Sequence, residues 1–186
     1  MTNMRLSDAP PNPNNGRMTQ PSGLLDRALA TDNDRTLLAQ RVALGLIMFP
    51  HGAQKLLGWF GGFGLSSTLE FLTGTVHLPA PLAVLVILAE SLGAVGLVLG
   101  AGTRLAALGI ASVMLGAIAT THLPFGLFMD WFGTQHGEGF EYHLLVLALA
   151  LPLAVRGAGA LSLDRALAAR LRAAATTTAM PQPSRA

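Results

Sequence analysis

The chain has 186 residues, of which 51% are hydrophobic and only 12% charged, about half the charged share of an ordinary soluble domain. That deficit calls for a lipid solvent. A formal charge of +2 scattered along one domain's length of chain excludes a nucleic-acid groove. The absence of cysteine excludes disulfides, thiolate zinc sites, iron–sulfur clusters and thiol redox chemistry on this polypeptide. Any electron chemistry needs a bound cofactor.

Residues 1–23 are rich in proline and asparagine and bury too little apolar surface to offset the entropy of ordering. No apolar core of signal-peptide type occurs there. Residues 1–35 are expected to be a disordered or surface-helical segment on the cytoplasmic side. Four long apolar segments follow, roughly 36–60, 79–100, 104–122 and 140–155. The last is short against the roughly 20 residues that a helix needs to cross hydrocarbon. Helix is the expected state, because an open sheet would turn unpaired backbone groups to lipid and the runs lack a barrel's alternation. Gly96 and Gly100, then Gly109, Ser112, Gly116 and Ala119, form small-residue stripes at helical spacing, read as close helix packing.

Arg27, Arg35 and Arg41 flank the first segment, Arg104 lies in the second connection, and Arg156, Arg165, Arg170 and Arg172 follow the fourth. Retention of such charges in the cytoplasm places both termini inside. Trp59, Trp131 and Tyr142 fall near the opposite boundary, where aromatic belts form. The expected fold is therefore an all-α membrane protein, a four-transmembrane-helix bundle over 36–160 with an N-in/C-in topology. In 162–172, Leu163, Leu167 and Leu171 are spaced four apart with three arginines among them. That spacing predicts an interfacial amphipathic helix over 161–172, followed by a disordered tail over 173–186. The six residues from Leu25 to Ala30 repeat those from Leu163 to Ala168.

Ionisable residues inside the spans ask for a reason, since each costs roughly 2.5–3.5 kcal/mol at a helix centre. Glu90 sits near the middle of the second span. His51 and Lys55, four apart, share one face of the first. His122, Glu141 and His143 lie at the outer ends of the third and fourth. Two readings fit. One is a polar pocket open to the outer side, with Glu90 handling a proton and His51 or Lys55 contacting a carbonyl or anionic ligand. The other is a buried Glu90 pair with Lys55 or His51 that sets helix register. Water at the headgroup level equally accounts for His122, Glu141 and His143. No metal is expected from His136, Glu138, Glu141 and His143, and no haem from histidines at unmatched depths.

The ordered set Arg41, Phe49-Pro-His51-Gly52-Ala-Gln-Lys55-Leu-Leu-Gly58-Trp59-Phe60, Glu90 with Gly93, Leu99-Gly100-Ala-Gly102-Thr103-Arg104, His122, Gly139-Phe-Glu141-Tyr142, Gly157-Ala-Gly159 and Ser162-Leu163-Asp164 resembles the DoxX-like membrane protein family over about 36–166. The resemblance implies a four-helix bundle in the bacterial inner membrane. It also implies an oxidoreductase link, since the family takes its name from a subunit of an archaeal thiosulfate:quinone oxidoreductase. By position it marks Arg41, Lys55, Glu90, Arg104, His122 and Glu141. The candidate catalytic residues are Glu90, His51 and Lys55, and the candidate ligand contacts are Arg41, Arg104, His122, Glu141, His143 and Trp59. A quinone is the cofactor that this implies. Partners are the lipid bilayer and a soluble redox enzyme or second membrane subunit, with oligomerisation left open. A non-catalytic scaffold for a soluble enzyme and a small-molecule transporter are the competing functions.

Overall fold

The structure is a computed structural model that describes residue 23 and residues 28–178. The proline-rich start, the first half of the Leu25 copy and residues 179–186 lie outside the described residues. Among the described residues the fold is all helical. Helix α1 (Arg35–Leu57) begins at Asp34, whose carboxylate accepts from the Thr36 and Leu37 amides at 2.7 and 3.3 Å and satisfies donors that the first turn leaves open. It runs through Pro50, which removes the amide that would have bonded the Leu46 carbonyl. It stops at Gly58 in the left-handed conformation, φ +72°.

The first connection, read from sequence as a loop, contains α2 (Gly64–Glu70) and a π-helical extension, Phe71–Thr75. Helix α3 (Ala80–Leu99) follows, and then α4 (Thr103–Ala117), which continues as a π-helical turn, Ile118–His122, and a short 3₁₀ turn, Leu123–Phe125. Helix α5 (Glu141–Arg156) completes a ring in which α1 packs on α3, α3 on α4, α4 on α5 and α5 back on α1. Leu44, Met48, Leu97, Ile110, Val146 and Leu153 meet at its centre. Helix α6 (Leu163–Thr178) runs past Arg172, so residues 173–178, expected from sequence in a disordered tail, are helical.

The closest helix approach lies on α1, at Gly45 and Gly52. A Cβ on Gly52 would sit 2.5 Å from the Glu90 carbonyl oxygen, and one on Gly45 would sit 2.9 Å from that of Ala94. Backbones this near exclude any side chain. The stripe read from sequence on α4 behaves differently along its length. A Cβ on Gly109 would sit 3.2 Å from the Ala89 methyl, but one on Gly116 would meet nothing within 4 Å, and Ser112, Gly116 and Ala119 are exposed. The stripe therefore packs a helix at its Gly109 end only, because α3 and α4 part beyond it.

Two stretches, Ala80–Leu99 and Thr103–Phe125, are long and apolar enough to cross a membrane, and only 28% and 22% of their windows are buried within the protein. The core helix of a soluble protein hides most of its surface. These show leucines outward instead, and lipid is the solvent that suits them. Helix α1 carries Arg35, Arg41 and Lys55, and α5 has 16 residues, so length and apolarity alone do not give four spans.

Candidate functional site

The two ends of the helix ring are built for different work. At the end where α1 begins, the segment 157–162 between α5 and α6 is drawn into the protein, with all of it but Leu161 buried. Arg41, 1% exposed, spends its whole guanidinium on backbone there. Its Nε donates to the Ala158 carbonyl at 2.8 Å, Nη1 to Leu97 and Val98 at 2.8 and 2.6 Å, and Nη2 to Ala160 and Leu161 at 3.2 and 2.7 Å. A planar fork with five donors suits such a knot. Asp164, on the first turn of α6, accepts from the Gly102 and Thr103 amides at 2.7 and 2.9 Å, and so caps α4 from a distant part of the chain. Arg104 donates to the carbonyls of Ala154, Val155 and Ala30, and Arg156 pairs with Asp34 at 2.8 Å.

A cavity of about 1040 Å³ occupies the other part of the protein and continues along α3 and α4 to Gly102 and Leu105. Its wall is overwhelmingly apolar, and both π-helical turns border it through Phe71, Leu72 and His122. Such turns recur at functional sites. Lys55 Nζ lies 2.5 Å from Glu90 Oε2 on this wall. The Glu90 side chain is 5% exposed and that of Lys55 27%, so the ammonium faces the cavity while the carboxylate is held behind it. Gly52 makes the pairing possible, since any side chain there would push α3, and Glu90 with it, away from α1.

Apart from Ser112, Thr120, Thr121 and Glu138, the remaining polar side chains on the wall are aromatic. Tyr142 Oη and His51 Nε2 are 3.3 Å apart, and the same hydroxyl reaches Met48 Sδ at 3.6 Å. The His122 and His143 rings lie with centroids 4.2 Å apart, with Tyr142 at 5.8 Å from His143. His122 Nδ1 donates to the Glu138 carbonyl at 2.8 Å. His143 is buried and its Nδ1 has no hydrogen-bond partner among the described residues.

Of the residues singled out from the sequence, His51, Lys55, Glu90, His122 and His143 therefore line one cavity. Arg41 and Arg104 are bound up in the opposite end. Trp59 is exposed on a short turn after α1, and Glu141 turns toward the Met129 amide at 3.5 Å. His143, placed by sequence at the headgroup level, is instead 8% exposed. The sequence reading took Tyr142 for a belt aromatic and gave Asp164 no role. The first acts across the bundle on His51, and the second lies in Ser162-Leu163-Asp164, a string whose cap partner is 61 residues away.

The DoxX family's sequence pattern matches residues 36–123. No curated protein and no solved structure matches the chain. The matched stretch holds α1 to α4, with Arg41, His51, Lys55, Glu90 and His122, and its two membrane-length apolar helices carry exposed leucines. Over residues 36–123 the chain is DoxX-like, and its long apolar helices suit a membrane.

Proposed function

We propose that this protein is a four-span inner-membrane subunit with both termini in the cytoplasm, which holds a quinone-like amphiphile beside the Lys55–Glu90 pair. One observation carries the reading. An ion pair, 2.5 Å long, lies on the wall of a largely apolar cavity of about 1040 Å³ that runs along lipid-suited helices. Ligand sites of this kind are mostly apolar, with few polar groups that set orientation. A flat ring with carbonyl oxygens, soluble in the bilayer, fits such a wall. When bound, a quinone supplies a two-electron, two-proton couple, its electrons coming from a partner redox protein.

The chain's own residues supply binding and protons. The Lys55 ammonium donates a hydrogen bond to a carbonyl oxygen in the cavity and orients it. Glu90 holds that ammonium in place and exchanges a proton. The leucines of α3 and α4 exclude water along the entry. The charge pattern supports the topology, because every described arginine lies at or near the Arg41 end or on α6 and only Lys55 lies at the other. Helix α6 supports contact with the inner leaflet, since Leu163, Leu167 and Leu171 are exposed while Asp164 and Ala168 face the protein. Docking of a soluble redox enzyme on the same helix is the second reading.

The test is thermal unfolding of the protein in lipid nanodiscs with short-chain benzo- and naphthoquinones. A concentration-dependent rise in Tm that disappears in Lys55→Met is expected. No shift with either ring class overturns the ligand assignment.

A further inference from the structure

Between the buried Lys55–Glu90 pair and the exposed 126–140 connection stands a set of groups that packing alone does not require. From α1, His51 and Lys55 face the cavity; from α3, Glu90; from α5, Tyr142 and His143; and from the end of α4, His122, with Glu138 beyond it. They stand in file, with His51 one helical turn before Lys55 on α1. His51 Nε2 and Tyr142 Oη are 3.3 Å apart, the Tyr142 and His143 ring centroids 5.8 Å, the tilted His143 and His122 rings 4.2 Å, and His122 Nδ1 reaches the Glu138 carbonyl at 2.8 Å. Glu138 is exposed and its carboxylate accepts from the Asp130 amide at 2.7 Å. Glu141, though adjacent to Tyr142, turns to Met129 and stands outside the succession.

Two features separate this array from ordinary packing. The His122 tautomer is set, because the Glu138 carbonyl can only accept, which leaves Nε2 as a lone-pair site. In addition, His143 is 92% buried by its 8% exposure, yet its Nδ1 bonds to no described residue. Buried polar atoms are nearly always satisfied, and one that is not calls for an explanation. An imidazole nitrogen left open between two other titratable rings can receive a proton from one and pass it to the next.

We propose that His122, His143, Tyr142 and His51 form a proton path between the 126–140 connection and the Lys55–Glu90 pair. His143 and His51 take a proton at one nitrogen and release one from the other, Tyr142 does so at its hydroxyl oxygen, and His122 takes and releases its proton at Nε2, since its Nδ1–H stays on the Glu138 carbonyl. One proton enters for each that leaves, and no bond between heavy atoms changes. Inward transfer ends with a neutral Glu90 carboxyl beside the Lys55 ammonium; outward transfer restores the ion pair. The path rests on the reading of Glu90 as the proton-exchanging acid, and it is independent of which ligand occupies the cavity.

Infrared spectroscopy of the full chain in nanodiscs after a rapid drop in pH tests it. The protonated-carboxyl band missing from Glu90→Gln reports Glu90. Its rate of appearance is expected to fall at least tenfold in His143→Phe and in His122→Phe, and added imidazole should restore part of the rate in His122→Phe, where the residue is partly exposed. Wild-type rates in His122→Phe, which lies at the protein's edge and spares the buried core, overturn the path. So does a spectrum in which Glu90→Gln removes no band. Quinone binding is read separately from Tm, so a failed ligand assignment leaves the carboxyl rates as the measure of the path.

Discussion

Lys55 and Glu90 each make the other tolerable in a setting where either alone would be an uncompensated charge. Removing one partner of a buried pair typically costs about 3–5 kcal/mol, while replacing both by apolar residues is often neutral. Because Lys55 is partly exposed, Lys55→Ala is expected near the lower limit, about 3 kcal/mol, and Lys55→Met with Glu90→Leu should recover most of it. Chemical unfolding of the wild type and the two variants in one detergent measures the difference. Asp34 gives a pH dependence outside the spans. Its hydrogen bond from the Thr36 amide, helped by that from Leu37 and by Arg156, holds its carboxyl below the ordinary carboxylate value. A depressed carboxyl stabilises the fold above its unfolded value, and that contribution fades as pH falls through the lowered folded one. The stability gap between wild type and Asp34→Asn should therefore be constant at neutral pH and close in acid; a gap that widens in acid would contradict the sign.

These two residues also show how far a sequence can be read. Lys55 and Glu90 were visible because charge inside an apolar run is costly whatever the packing. Arg41 drew notice as a flanking charge and through the family resemblance, but its partners are carbonyls 56 to 120 positions later, and backbone carbonyls leave no mark on a sequence. Tyr142 lacked any signal, since an aromatic near a boundary has an ordinary explanation and its bond to His51 is made across the bundle.

Among the elements, glycines decide where helices touch and where they part. Gly52→Ala would place a methyl against the α3 backbone, and overpacking of this kind costs about 1–3 kcal/mol. Gly116→Ala meets open space and should gain up to about 1 kcal/mol from helix propensity. A pair of thermal unfolding curves checks both, and equal effects would refute the assignment of close packing to α1. Hydropathy showed the long helices well, because each is a predominantly apolar run. It did not show the π-helical turns or α2, which depend on how the ends are held. The capping of α4 by Asp164 is a further element-level matter. Asp164→Ala should cost about 1–2 kcal/mol and speed proteolysis within 157–178, whereas an unchanged digestion pattern would argue that Arg41 alone holds the segment.

At the scale of the whole molecule the protein is polarised, with backbone carbonyls gathered around arginines at one end and an open cavity at the other. Since the chain has no cysteine, any single one introduced is a unique label. Thr134→Cys and Arg170→Cys should react with an impermeant maleimide from opposite sides of the membrane, and labelling from one side would refute the proposed topology.

The Arg41 knot has a consequence in time. Arg41 leaves the ribosome 117 residues ahead of Ala158, the acceptor of its Nε. At ordinary synthesis rates of about 5–20 residues per second, the guanidinium waits on the order of 6–23 s for that carbonyl. During the wait the first helix carries an unneutralised cation with an incomplete set of partners. Such a helix has every physical reason to linger at the insertion machinery or at the membrane surface and to settle only when the last segment arrives. Biogenesis would then proceed from the end of translation backward, the final loop admitting the first helix.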